Sequence, residues 1–206
     1  MKVLLINGSP HENGCTCTAL REVAGALEAE GVETEIFWLG RNPISGCTGC
    51  RACAKLGKCV LNDVVNVALE KATAADGLVI GSPVHYAAAS GQITSAMDRM
   101  FYSSGGALRL KPATAIVSAR RGGTTAALDQ LNKYFTISQM PVVSSRYWNM
   151  VHGNTPEEVR QDEEGMSVMR TLGKNMAWLL KSIQAGKDAG LEPPAPEPPA
   201  RTNFIR

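Results

Sequence analysis

Residues 2–7 read KVLLIN and end at Gly8. An apolar run without polar alternation suits a strand covered on both faces, and such strands belong to parallel sheets. Helical spacing follows over residues 16–30, with Leu20, Val23, Ala24 and Leu27 on one face and Gly31 as a stop. The same alternation recurs. Strands are expected at 33–39, at 77–80 before Gly81, at 112–118, and at a short fifth starting over 141–143. Helices are expected from an Asp63 cap to about residue 75, over 92–102 and over 124–138. The first carries Val64, Val67, Ala68 and Leu69; the second turns Ile93, Ala96, Met97 and Met100 inward. This order predicts an α/β fold with a doubly wound parallel sheet. A last helix begins at Thr155-Pro156 and runs over 157–183, carrying Val159, Met166, Met169, Leu172, Met176, Leu179, Leu180 and Ile183.

The chain has 206 residues, 44% of them hydrophobic, enough for one sizeable core and one domain. That domain is expected over 1–186. Residues 192–200 read EPPAPEPPA, which makes no packed element, so 187–206 is expected as an extended tail. A net charge of +2 without a Lys/Arg run argues against a nucleic-acid partner and an acidic membrane surface. No stretch approaches the roughly 20 apolar residues of a membrane span. Residues 1–6 enter a strand directly rather than a secretory leader. A cytoplasmic protein is expected, where clustered cysteines serve as metal ligands or redox groups more often than as disulfides.

The loop after the first strand reads GSPHENGCTCT over residues 8–18. It has no Lys for a P-loop, and its glycines, Gly8 and Gly14, miss the dinucleotide spacing. A hydroxyl-rich loop entering a helix N-terminus remains, where free amides and the helix dipole favour a phosphate. Ser9, Thr16 and Thr18 can donate to it. An ordinary strand–turn–helix with Thr16 as N-cap fits these residues equally well.

Gly8-Ser9-Pro10, Gly14 and Thr16 resemble the G-S-P-R-x-x-G-N-T phosphate loop of the NADPH-dependent FMN reductase family. His11 stands where that family often has Arg, and Cys15 where it often has Asn. A second stretch, GSPVHYAAASGQ over residues 81–92 with Asp98-Arg99 beyond, resembles the family's G-S-P-V-Y loop and its Asp-Arg pair; here His85 replaces Tyr. A third loop, SARRGGTT over 118–125, follows the fourth strand. The resemblance implies a flavodoxin-like three-layer sandwich with a five-stranded parallel sheet of order 2-1-3-4-5. The three loops would then meet at the switch point between strands one and three. It implies FMN contacts from Ser9, His11, Cys15, Thr16, Cys17 and Thr18 at the phosphate. Pro83, Val84, His85 and Tyr86 would lie along the ring, and Ala119, Arg120, Arg121, Gly122 and Gly123 at its pyrimidine side. Arg120 or Arg121 is a candidate for the flavin N1/O2 edge or for a phosphate of NADPH; the alternative is a pair of surface arginines.

Cys47, Cys50, Cys53 and Cys59 follow the spacing C-x2-C-x2-C-x5-C. Such thiolates can surround a [4Fe–4S] cube, and the pattern resembles the compact motif of iron–sulfur flavoproteins. The FMN reductase family also carries such loops without a cluster. A metal-free thiol loop is ranked first, the cube second, and zinc, whose usual layout is two separated knuckles, third.

The resemblance implies an FMN-dependent oxidoreductase that takes a hydride from NADPH or NADH and passes electrons to a small acceptor such as a flavin, quinone or nitro compound. The alternatives are an iron–sulfur electron carrier with a redox-protein partner, and a non-catalytic flavin or thiol sensor. His85 and Tyr86 are candidates for proton delivery. A homodimer or higher homo-oligomer is expected.

Overall fold

Along β1 (Lys2–Asn7) the side chains alternate between two cores: Leu4 and Ile6 enter one, Val3 and Leu5 the other. That alternation is the period-two geometry of a strand covered on both faces. In the computed structural model, which describes residues 1–198, 200 and 202, β1 is followed by α1 (Cys15–Ala29), β2 (Glu33–Trp38), the short α2 (Cys53–Leu56) and α3 (Val64–Ala74). Next come β3 (Gly77–His85), the two-residue β4 (Ala88–Ala89), α4 (Gly91–Ser103), β5 (Ala113–Ala119), α5 (Thr124–Ile137), β6 (Met150–His152), α6 (Pro156–Gln161) and α7 (Glu163–Asp188). The parallel sheet has the order β2-β1-β3-β5-β6, with β4 folded antiparallel onto β3. Counting the five parallel strands alone, this is the expected order 2-1-3-4-5.

One core lies between the sheet and α3, α4 and α5. The other lies beneath α1, α6 and α7. Leu20, Val23 and Leu27 of α1 meet Leu172 and Met176 of α7 in the second core. The two helices approach closely because α7 has Gly173 at the crossing. A Cβ there would stand 2.7 Å from Ala26 Cβ and 2.8 Å from the Val23 carbonyl.

Four expectations need correction. The fifth parallel strand is Met150–His152, not 141–143. Val142 makes a single bridge to Ala113, and the edge resumes at Met150, which pairs with Val117. Asn149 patches the gap: its side-chain amide donates to the Ala115 carbonyl at 3.1 Å and to Thr114 Oγ1 at 2.9 Å. Second, β3 continues through Gly81-Ser82-Pro83 to His85; its switch to a hairpin lies beyond the Gly-Ser-Pro that looked like a loop. Third, the last helix is two helices joined at Asp162. It also runs on through Asp188, two residues into the expected tail, and residues 199, 201 and 203–206 of that tail lie outside the described residues. Fourth, on α3 the buried valine is Val65, while Val67 is exposed.

Candidate functional site

Asn7 builds the first loop. Its side chain is buried, accepts the Ser9 amide at 3.0 Å and donates to the Glu12 carbonyl at 3.0 Å. Ser9 Oγ then accepts the His11 amide at 3.1 Å, and the Trp38 indole donates to the Ser9 carbonyl at 2.8 Å. The loop is thereby fixed from inside and from the end of β2. It delivers the chain to α1, whose N-cap, Gly14, offers no side chain, and whose first turn has no acidic residue. First-turn amides left without a cap, with the positive end of the helix dipole, form an anion cradle.

Three loops converge at the C-terminal ends of β1, β3 and β5. The Gly8 amide donates to the Gly81 carbonyl at 2.9 Å. Ser90 Oγ donates to the Gly8 carbonyl at 3.0 Å and caps α4. Thr16 Oγ1 and Ser118 Oγ share a hydrogen bond of 2.8 Å, joining α1 to β5. Gly123, at φ 91°, faces Ala87: a Cβ there would stand 2.6 Å from Ala87 Cα and 3.2 Å from Val84 Cγ1. The third loop can touch the second because residue 123 has no side chain.

The expected site residues divide by what they expose. Ser9 is buried, while His11 stands in solvent. Thr16 directs its hydroxyl at Ser118, and Thr18 donates to the Gly14 carbonyl at 3.2 Å. Cys17 is packed inside; Cys15 is half-buried with its thiol 3.7 Å from the Gly153 carbonyl. Burial pushes both thiols up, so neither is a ready nucleophile. Pro83 and Val84 are half-buried, and His85 and Tyr86 project from the hairpin. Ala119 is buried beneath exposed Arg120, Arg121 and Gly122. Asn7, Trp38, Ser90 and Ser118 are part of the site's framework and were not singled out from the sequence. The serines and Asn7 lie beside the motif positions, but which hydroxyl meets which carbonyl is a tertiary matter.

The cysteine loop forms a second centre. Cys47, Cys50, Cys53 and Cys59 line one pocket together with Arg99 and Tyr102. Cys47 and Cys50 are exposed, Cys53 and Cys59 half-buried. The Ala52 amide and the Thr48 hydroxyl hold the Cys50 thiol below its usual range. Asn66 clamps Cys59 through its backbone, accepting its amide and donating to its carbonyl, each at 3.0 Å. Among the described residues, no three His, Cys, Asp or Glu side chains stand close enough to share one metal ion. The donor set that lines the pocket is four thiols with the Arg99 guanidinium beside them.

A parallel sheet of this order, with its loops gathered at the switch point, defines a flavodoxin-like α/β protein. An archaeal flavodoxin aligns with 88% of the chain and 99% of its own, with a TM-score of 0.60 at 16% identity, a likeness of fold. The chain belongs to the NADPH-dependent FMN reductase family, whose model matches residues 1–155. It is a flavoprotein and a flavin-dependent oxidoreductase by that membership. An iron–sulfur flavoprotein of Methanocaldococcus jannaschii is 35% identical over 89% of this chain and 100% of its own. One of Archaeoglobus fulgidus is 34% identical over 89% and 98%.

Proposed function

We propose that this protein is an iron–sulfur flavoprotein, an FMN-dependent oxidoreductase whose four-cysteine loop holds a [4Fe–4S] cluster. The observation that carries this reading is the gathering of Cys47, Cys50, Cys53 and Cys59 on the rim of one pocket. The relatives named iron–sulfur flavoproteins support it. When bound, FMN supplies hydride and single-electron chemistry, and the cluster supplies single-electron transfer.

The chain's own residues position both groups. The uncapped first turn of α1, with the amides of Cys15, Thr16 and Cys17, would hold the FMN phosphate, with Ser9 beside it. His11 and Thr18 flank that loop. Pro83, Val84, His85 and Tyr86 would lie along the ring, and Gly123 lets the Ala119–Gly122 backbone come close to the same edge. Arg120 or Arg121 would meet negative charge there, on the reduced flavin or on a nicotinamide phosphate. His85 and Tyr86 stand where a proton can be delivered from solvent. NADPH or NADH is the expected hydride source, and a small molecule or a redox protein the acceptor. We place the protein in the cytoplasm as a homo-oligomer, with the packed domain running to the end of α7 at Asp188 and a Pro-rich tail after it. No described helix is long and apolar enough to cross a membrane.

Anaerobic purification followed by reconstitution tests the reading. About one FMN and about four irons per chain are expected, with an EPR signal on reduction. A protein that takes up FMN but no iron sinks the cluster. A flavin that neither NADPH nor NADH bleaches sinks the nicotinamide step.

A further inference from the structure

The family's Asp-Arg pair is split by the fold. Asp98 turns outward and accepts the Tyr134 hydroxyl at 2.5 Å. Arg99 turns inward, and its side chain has no exposed surface. Burying a guanidinium costs several kcal/mol unless its donors are met. All five N–H groups find acceptors, and all five acceptors belong to the cysteine lobe or to the chain that leaves it. Nη1 and Nη2 each donate to an Asp63 carboxylate oxygen at 2.7 Å. Nη1 also donates to the Ser45 carbonyl at 3.3 Å, and Nη2 to the Leu61 carbonyl at 2.9 Å. These four bonds hold both ends of the lobe against α4. The fifth, from Nε, runs to Cys59 Sγ at 3.2 Å.

That last bond does not shape the backbone. The Asp63 pair already neutralises the cation, and Asn66 already fixes the Cys59 backbone. A hydrogen bond from a cationic donor favours a sulfur that carries negative charge. No other thiol of the loop has a cationic donor: Cys50 meets the Ala52 amide and the Thr48 hydroxyl, Cys53 points its thiol at the Tyr102 carbonyl at 4.0 Å, and Cys47 is exposed.

We propose that Arg99 is a positioning residue that sets the reduction potential of the cysteine site, the hydrogen bond from its Nε–H to Cys59 Sγ stabilising the reduced cluster. This rests on the cluster reading above. Dithionite is the reductant: one dithionite and two waters give two bisulfites, two protons and two electrons, one electron for each of two clusters. No protein bond breaks, and no protein group gains or loses a proton. The iron–sulfur core becomes more negative by one charge, and the N–H donor of Arg99 stays on the sulfur. Hydrogen bonds to a cluster's sulfurs raise its potential.

The test is a potentiometric EPR titration of the reconstituted holoprotein and two variants, with FMN and iron content measured on each. Arg99→Lys keeps a cation for Asp63 but removes the planar Nε donor, so its potential is expected to become more negative. Asp63→Asn keeps the Nε donor and leaves the cation less neutralised, so its potential is expected to become more positive. The Arg99→Lys shift carries the assignment, because charge is kept there and only the Nε donor is lost; the Asp63→Asn shift calibrates the effect of charge alone. Should Arg99→Lys lose its iron, pulsed EPR of the reduced wild-type holoprotein labelled with 15N-arginine decides: a coupling from an arginine nitrogen to the cluster supports the assignment, and none overturns it. Unchanged potentials in iron-loaded variants overturn the role of Arg99 and leave the cluster standing. A wild-type protein that takes no iron overturns both.

Discussion

Tyr86 and Ala87 close the β3–β4 hairpin with φ angles of 51° and 59°. Two left-handed central residues are the geometry of a type I′ turn, where Asn and Gly are usual and a Cβ is penalised. Strain of this kind persists where surrounding structure holds it. Here the holding contacts are the Gly123 backbone against Ala87 and the Gln130 side chain, whose oxygen accepts the Ala89 amide at 3.0 Å. Ala87→Gly is expected to raise stability by about 0.5–1 kcal/mol in urea unfolding, since glycine removes the penalty at an exposed position. A loss would show the turn to be unstrained. Asp63 carries a second residue-level consequence. Burial alone pushes its carboxyl up, but the Arg99 guanidinium and the Val65 amide outweigh burial and hold it below the usual range. A folded pKa below the unfolded one adds stability that is present above pH 4, near the unfolded carboxylate value, and fades as pH falls through the folded one. Asp63→Asn is expected to flatten that part of the acid limb in unfolding curves taken from pH 5 downward.

At the level of elements, Asp162 decides how the chain ends its fold. It closes α6 and caps α7, accepting the Gly165 amide at 2.9 Å. The same carboxylate accepts the His152 amide of β6 at 2.7 Å. A continuous helix would pull this oxygen away from the sheet edge. The apolar spacing from Val159 to Met166 reads as one helix because spacing reports which face is buried, not whether the axis bends. Asp162→Ala is expected to cost about 1–2 kcal/mol, a lost cap together with an unpaired amide at the sheet edge; thermal unfolding measures it. The displaced fifth strand has a similar cause. Residues 141–143 are apolar and precede the edge of β5, so they read as its partner. The pairing that extends β5 instead comes from Met150–His152, and the Asn149 side chain replaces the missing ladder bonds between the two segments. Side-chain substitution of a backbone partner leaves no periodic trace.

For the whole molecule, the site is a product of convergence. Each loop is held by another: Gly8 by Gly81 and Ser90, α1 by Ser118, and Gly123 by Ala87. A ligand that binds the folded chain alone stabilises it by mass action, by about 2.7 kcal/mol at one hundred times its Kd. For a chain of this size that corresponds to about 5–10 °C in Tm. FMN is therefore expected to raise the melting temperature of the flavin-free protein by about that much, and riboflavin at equal concentration by distinctly less, because it lacks the phosphate proposed to sit in the α1 cradle. Equal shifts would remove the phosphate from the argument.

The sequence by itself determined the layering. Residues 3–6, VLLI, are apolar at every position because both faces of the strand are covered, and that property is local. It also determined which loops lie at one end of the sheet, since each motif ends or follows a strand. The direction of each side chain was decided by tertiary structure. Thr16 reads as a phosphate hydroxyl in sequence; its bond to Ser118, 102 residues away, is visible only in the fold. Arg99 and Asp98 are neighbours in sequence and end on opposite sides of their helix, one against the cysteine lobe and one against α5. Residue type and spacing encode what a group can do. Its partner is fixed only when distant elements pack, because a hydrogen bond depends on a few tenths of an ångström between segments that the sequence leaves far apart.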